Sequence, residues 1–266
     1  MKLKKVIALV MTGVMTSALL TGCGSNKSSS SDLEYVKDNG VLKIGYTVYE
    51  PMNYENKDGE FVGFDTDFAK AVCQKLGVKP EFVLINWKNK VVELESKNID
   101  CIWNGFTITD DMKQSIDFSE PYAENKQVLV VNKANKDKYK DTASLKGKTV
   151  AVEAGSAGYT VASEDENIKD SIMTLSKQTD ALLELKAGTV DAAIFDYTMA
   201  QNMIGEGTDF SDLTISATLM DEQYGVGFRK GSDLVEKVNK CINEMRNDGS
   251  LSALADQYGI NLTSEN

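Results

Sequence analysis

Two stretches of this chain repeat one another. Residues 91–105, VVELESKNIDCIWNG, align without a gap with residues 182–196, LLELKAGTVDAAIFD, pairing Leu94 with Leu185, Asp100 with Asp191 and Gly105 with Asp196. Each reads as the end of an amphipathic helix, a turn and a short apolar strand. A match of this length also arises by chance wherever a helix runs into a strand. If it is real, the chain holds two similar α/β lobes, with Gly105 and Asp196 at equivalent strand ends, where open α/β sheets bind ligands.

The rest of the chain alternates in the same way. VLKIGYTV reads as a strand, and EPMNYENKDGEFVGF as a turn region with a hairpin at NKDGE. TDFAKAVCQKLG carries apolar residues at Phe68, Ala71, Val72 and Leu76, the spacing of a helix, and ends in glycine. VKPEFVLIN is a second strand, KNKVVELESKN a second helix and IDCIWN a third strand, after which the chain turns toward a helix start near Asp110. QVLVVN is a further strand. From about residue 127 the pattern restarts: KGKTVAVEAGSAG is strand then glycine-rich turn, QTDALLELKAGT is helix, VDAAIF is strand. Such alternation predicts mainly parallel sheets. The last part, from MDEQYGVGF onward, reads as a strand and two helices with no lobe of their own, which must pack back onto another part of the chain.

The first residues stand apart. MKLKK is basic, VIALVMTGVMTSALL is a 15-residue apolar run, and LTGC follows. The run is too short to span a membrane, and its pattern is that of a secretory signal over residues 1–22. LTGC resembles the bacterial lipoprotein cleavage motif, which implies lipid on Cys23 and an anchored, extracytoplasmic protein; residues 23–32, with SNKSSSSD, read as a flexible tether. Residues 1–22 carry three lysines and no acid, so their removal takes the formal charge from −11 to −14. A body this acidic argues against nucleic acid as a partner. The remaining cysteines, Cys73, Cys101 and Cys241, lie in apolar contexts without CxxC spacing, so buried free thiols are expected rather than a disulfide framework or a metal site. With no histidine, Ser-His and Cys-His nucleophile pairs are excluded.

Several phrases, in order, carry a family resemblance: LKIGYTVYEPMNY, DGEFVGFDTDFAKAVCQKLG, NWKNKVVELESKNIDCIWNGFTITDDMK, IDFSEPY, LKGKTVAVEAGSAG, VDAAIFD and YGVGFRKGSDL. The chain resembles the extracellular solute-binding proteins of bacterial ABC transporters, specifically the polar amino-acid-binding group, family 3. The resemblance implies two Rossmann-like α/β lobes joined by two hinge strands, the type II periplasmic-binding-protein fold, with ligand in the cleft. Lobe one would span 33–125 plus 222–266 and lobe two 126–221.

Carried over position by position, the resemblance makes Tyr49 and Trp87 the rings that stack on the ligand side chain, where aromatic faces bury aliphatic stems and attract a cation. It places Asn104, Gly105 and Thr107 on the turn that receives an α-carboxylate, with oriented N–H groups from the helix near Asp110. Asp196 is the carboxylate for the α-ammonium, and Ser156 and Ala157 of the AGSAG turn present backbone N–H groups from lobe two. Two positions depart from the family pattern. Met112 stands where an arginine usually clamps the carboxylate, and adjacent Lys113 points away on a helix. Glu153, at a lining position that need not be acidic in relatives, adds an anion. The expectation is a cleft more negative than usual, taking either a ligand of net positive charge or an ordinary amino acid held by Thr107 and backbone donors alone.

The implied function is binding rather than turnover, without cofactor or metal: a monomeric, lipid-anchored receptor that closes on a polar amino acid and delivers it to a membrane permease. One alternative is a non-transport receptor feeding a signalling protein. Another is an enzyme resembling the cyclohexadienyl dehydratase that shares this fold, for which Glu153 is the one nominated acid, lacking an evident partner.

Overall fold

The computed structural model describes residues 31–264. The expected signal over 1–22, Cys23 and the tether as far as residue 30 lie outside the described residues. Ser31 and Asp32, assigned above to the tether, instead belong to the folded body. The Ser31 hydroxyl accepts the Glu34 N–H at 2.9 Å and caps helix α1 (Asp32–Asn39), satisfying one of its orphan donors. Asp32 meets Arg229 at 3.0 Å, which ties this first helix to a late strand.

From α1 the chain enters β1 (Val41–Tyr46), makes the expected hairpin of β2 (Tyr54–Glu55) and β3 (Phe61–Val62), and continues through α2 (Phe64–Leu76), β4 (Lys79–Leu84), α3 (Lys90–Glu95), β5 (Cys101–Ile102), α4 (Met112–Ser115) and β6 (Ile116–Phe118). Helix α2 forms because Phe64, Phe68, Ala69, Val72 and Cys73 make one buried stripe, and Gly77 at φ 74° ends it by donating its N–H back to the Gln74 and Cys73 carbonyls. The chain then leaves through β7 (Ala123–Asn132) to build β8 (Val150–Glu153), α5 (Ala157–Glu164), β9 (Ile172–Leu175), α6 (Gln178–Ala187), β10 (Ala192–Asp196) and α7 (Tyr197–Met203). It returns along β11 (Leu213–Tyr224) into β12 (Gly227–Arg229), then α8 (Leu234–Asn247) and α9 (Ser250–Tyr258).

Two five-stranded sheets result, ordered β4-β1-β5-β12-β6 and β11-β7-β10-β8-β9. The β4-β1-β5 and β10-β8-β9 neighbours are parallel, as helical crossovers require, whereas β12 and β7 run antiparallel to their neighbours. The sheets are therefore mixed rather than mainly parallel, because the strands that carry the chain between lobes run against the others. The long β7 and β11 pair from Leu213–Asn132 to Tyr224–Ala123, beside the passage between the sheets. The two late helices pack back on the first lobe: Lys75 of α2 meets Glu244 of α8 at 3.3 Å, and the Tyr258 hydroxyl of α9 donates to Asp67 of α2 at 2.6 Å.

The internal echo is structural. Asp100 takes the Lys43 N–H at 3.0 Å and returns its own N–H to the Lys43 carbonyl at 2.7 Å; Asp191 does the same with Thr149, at 3.1 and 2.9 Å. In both lobes an aspartate thus locks the start of one strand to its neighbour, and the following residues run to the cleft. The three cysteines are buried and free, as expected.

Candidate functional site

The carboxyl ends of β1, β5, β8 and β10 open onto one cleft of about 290 Å³ between the two sheets. All ten residues nominated from the sequence line it: Tyr49, Trp87, Asn104, Gly105, Thr107 and Met112 from one side, Glu153, Ser156, Ala157 and Asp196 from the other. The lobes touch across its mouth, where the Lys90 ammonium donates to the Gly155 carbonyl at 2.8 Å. Gly155 must be glycine there: its φ is 75°, and an added Cβ would stand 3.2 Å from the Lys88 Cα.

Asp196 ends the apolar strand β10 and is 6% exposed. Its Oδ1 accepts from Asn125 at 2.9 Å, Gln127 at 2.8 Å and the Tyr224 hydroxyl at 3.0 Å, while Gln178 donates to Oδ2. Buried charge survives only with such partners. Asn125 and Gln127 also donate to Glu222, at 2.6 and 2.9 Å, so two carboxyls share one set of amides. Burial pushes both upward. Asp196 is drawn back by its donors, whereas the Asp196 charge pushes Glu222 further, well above the usual carboxyl range. Of the two, Glu222 is the one more readily protonated and Asp196, which faces the cleft, the one more readily ionised.

The turn after β5 is built differently from the expectation. Asn104 lines the cleft, but its amide is spent on the protein: Oδ1 accepts from the Thr47 N–H at 3.0 Å and hydroxyl at 2.7 Å, and Nδ2 donates to the Thr47 carbonyl at 2.9 Å and Asn53 at 2.7 Å. The N–H of Gly105, on the turn expected to receive an α-carboxylate, donates at 2.6 Å to Asp65, which also takes the Tyr122 hydroxyl at 2.9 Å. Burial lifts Asp65 to about 7 against those donors. Gly105 has φ 54°, and a Cβ there would lie 2.7 Å from the Tyr49 ring. The helix expected near Asp110 is the four-residue α4 beginning at Met112, too short to aim a set of N–H groups. Lys113 points away, as expected, and pairs with Asp110 at 3.1 Å.

The two rings also have protein partners. The Tyr49 hydroxyl meets that of Tyr224 at 2.7 Å, which links it to Asp196. Trp87 packs edge-on to Phe106 at 5.2 Å, and the Lys90 ammonium stands 4.7 Å from the Trp87 ring centroid, so a cation of the protein already occupies that face. On the opposite wall Ser156 is the cap of α5: its hydroxyl accepts the Tyr159 N–H at 3.0 Å, and its own N–H is used on the Glu153 carbonyl at 3.3 Å. Ala157 is therefore the better-placed N–H donor of that turn.

Lys90 was missed, and it changes the charge of the cleft. Within KNKVVELESKN it reads as one more solvent-facing lysine of an amphipathic helix. In the fold it is 4% exposed and the one basic side chain lining the cleft among the described residues. Burial lowers its ammonium to about 8, with Glu153 opposing that change. Burial likewise raises Glu153 to about 8; the Asp196 charge adds to the rise, and Lys90 and Gln178 offset part of it. Glu153 is thus not without neighbours, and the cleft expected to be more negative than usual from Met112 and Glu153 also holds a buried cation. Gln178 and Tyr224 were missed as well; only tertiary packing brings them to Asp196.

Residues 42–261 match the bacterial extracellular solute-binding proteins, family 3. The chain belongs to that family. The family 3 protein is 32% identical over 273 residues to the L-cystine-binding protein TcyJ of Escherichia coli (strain K12), covering 99% of this chain and 100% of TcyJ. Its fold matches an ABC uptake transporter substrate-binding protein from Streptococcus pneumoniae with bound histidine, at TM-score 0.81, 28% identity and coverage of 90% of this chain and 100% of that one. It also matches AncCDT-1, an ancestral amino-acid-binding protein and precursor of cyclohexadienyl dehydratase, at TM-score 0.77, 30% identity and coverage of 86% and 99%. The chain has the two-lobe periplasmic-binding-protein fold, which matches these amino-acid-binding protein structures. Among the described residues no helix is long and apolar enough to cross a membrane.

Proposed function

We propose that this family 3 protein is the substrate-binding component of an ABC importer, capturing a polar amino acid or a similar amine-bearing solute between its lobes. In this reading the lobes are 33–125 plus 222–266 and 126–221. The chain is monomeric, held on the extracytoplasmic face of the membrane by lipid on Cys23, and hands its ligand to the permease. The observation that carries the reading is Asp196, a carboxylate fixed by Gln178, Tyr224, Asn125 and Gln127 at the strand end that faces the cleft. So many donors on one carboxylate hold it as a preorganised acceptor for an ammonium group. Relatives named for cystine and histidine binding support the ligand class.

A thermal-shift screen of the twenty L-amino acids, L-cystine, simple amines and short peptides tests this. A ligand at a hundred times its Kd stabilises the native state by about 2.7 kcal/mol. An amine-bearing compound should therefore raise Tm by several degrees. If only sugars or carboxylic acids without an amine shift Tm, the reading fails.

A further inference from the structure

Lys90 is a buried cation with unmet needs. An ammonium has three donors, and Lys90 uses one well, on the Gly155 carbonyl at 2.8 Å, and one poorly, on the Trp87 carbonyl at 3.4 Å. No carboxylate among the described residues comes within salt-bridge distance of it; Glu153 acts on it only from further away. A charge buried to this extent without an ion partner is costly and calls for one. The ammonium lines the cleft, above the Trp87 and Phe106 rings at 4.7 and 5.5 Å, in the same cluster that receives Met112. The cation absent from position 112 is thus supplied in that corner from another element. Across the cleft stand two carboxyl groups, Glu153 and Asp196.

We infer that Lys90 is the group that binds the ligand's carboxylate in this cleft, and that the ligand is a zwitterion with its carboxylate at Lys90 and its ammonium toward Glu153 and Asp196. This rests on the amine-bearing solute proposed above and narrows it: the decarboxylated amine of the same compound is a poor ligand. Lys90 spans the lobes through Gly155, so its ion pair with the ligand also joins the capture of the carboxylate to the contact between lobes. The rival role for Lys90 is a brace alone, holding the lobes through Gly155 without touching the ligand.

Calorimetric titration separates the two. Each amino acid that binds, with L-cystine included, is compared with its decarboxylated amine (histamine for L-histidine, cystamine for L-cystine) on wild type, Lys90→Met and Lys90→Gln. The glutamine variant keeps a neutral donor for Gly155, and far-ultraviolet circular dichroism checks that both variants fold. A charge-assisted bond of this kind corresponds to roughly 10- to 100-fold in affinity. Wild type should prefer the amino acid to its amine by that factor, and both variants should lose the preference. Equal losses for acid and amine, or a preference retained by Lys90→Gln, would overturn the carboxylate role and leave the proposed function standing. If wild type binds no amino acid and no amine, the proposed function fails and this inference with it.

Discussion

Asp65 shows how a residue outside the ligand's reach can govern the site. It is fully buried, holds the Gly105 N–H and the Tyr122 hydroxyl, and is lifted by burial to about 7 from the ordinary aspartate value of 3.8. Between those two values the native state holds a proton that the unfolded chain has released, so stability falls as pH rises through that window and levels off above it. Asp65→Asn keeps an acceptor for both donors and removes the titration. Its stability should lie within about 1 kcal/mol of wild type at pH 5 and clearly exceed it at pH 8, as read from urea unfolding at the two pH values. Parallel wild-type and variant pH profiles would show that the raised carboxyl is not there. At this scale the sequence was a good guide to position and a poor one to role. The family resemblance put Asn104 and Gly105 in the cleft, Gly105 also by its strand-end place in the internal echo, but their hydrogen bonds go to Thr47, Asn53 and Asp65, partners distant in sequence. Lys90 was invisible for the opposite reason: an isolated lysine in a helical stretch carries the signature of a solvated one.

At the scale of elements, the turn between β5 and α4 is fixed by backbone conformation. Gly105 at φ 54° lies where a side chain is strained, and its missing Cβ is the space filled by Tyr49 and Tyr224. Gly105→Ala should therefore cost about 1–3 kcal/mol and, because the displaced rings lead to Asp196, weaken ligand binding as well. Urea unfolding and titration of the same variant read both; an unchanged unfolding midpoint would refute the steric account. Elements with regular periodicity, such as α2 and β10, were legible in the sequence. Strand β11 was not, over Leu213–Met220, because register shifts between Ile215 and Ala217 and between Thr218 and Met220 break the alternation on which strand recognition depends. β5 is shorter than the six-residue strand IDCIWN expected from the sequence, since Asp100 is diverted to Lys43 and Arg229.

For the whole molecule, the two crossing strands and Asp196, the proposed ligand anchor, are one construction. Asn125 and Gln127 belong to β7 and Glu222 and Tyr224 to β11, and all four surround Asp196 of β10. In the proposed reading, an ammonium arriving at Asp196 would bear directly on the strands about which the lobes would close. The two-lobe plan was readable from the internal echo and the restart near residue 127, together with the family phrases. The charge balance of the cleft was not readable, because it depends on a lysine and a glutamate contributed by different lobes. The measurement closest to the centre of this account is calorimetric titration of wild type and Asp196→Asn with the tightest amino-acid ligand. Loss of one partner of a buried charged contact costs roughly 2–5 kcal/mol, so the variant should bind at least about 30-fold more weakly while remaining folded. An affinity within threefold of wild type would contradict the account.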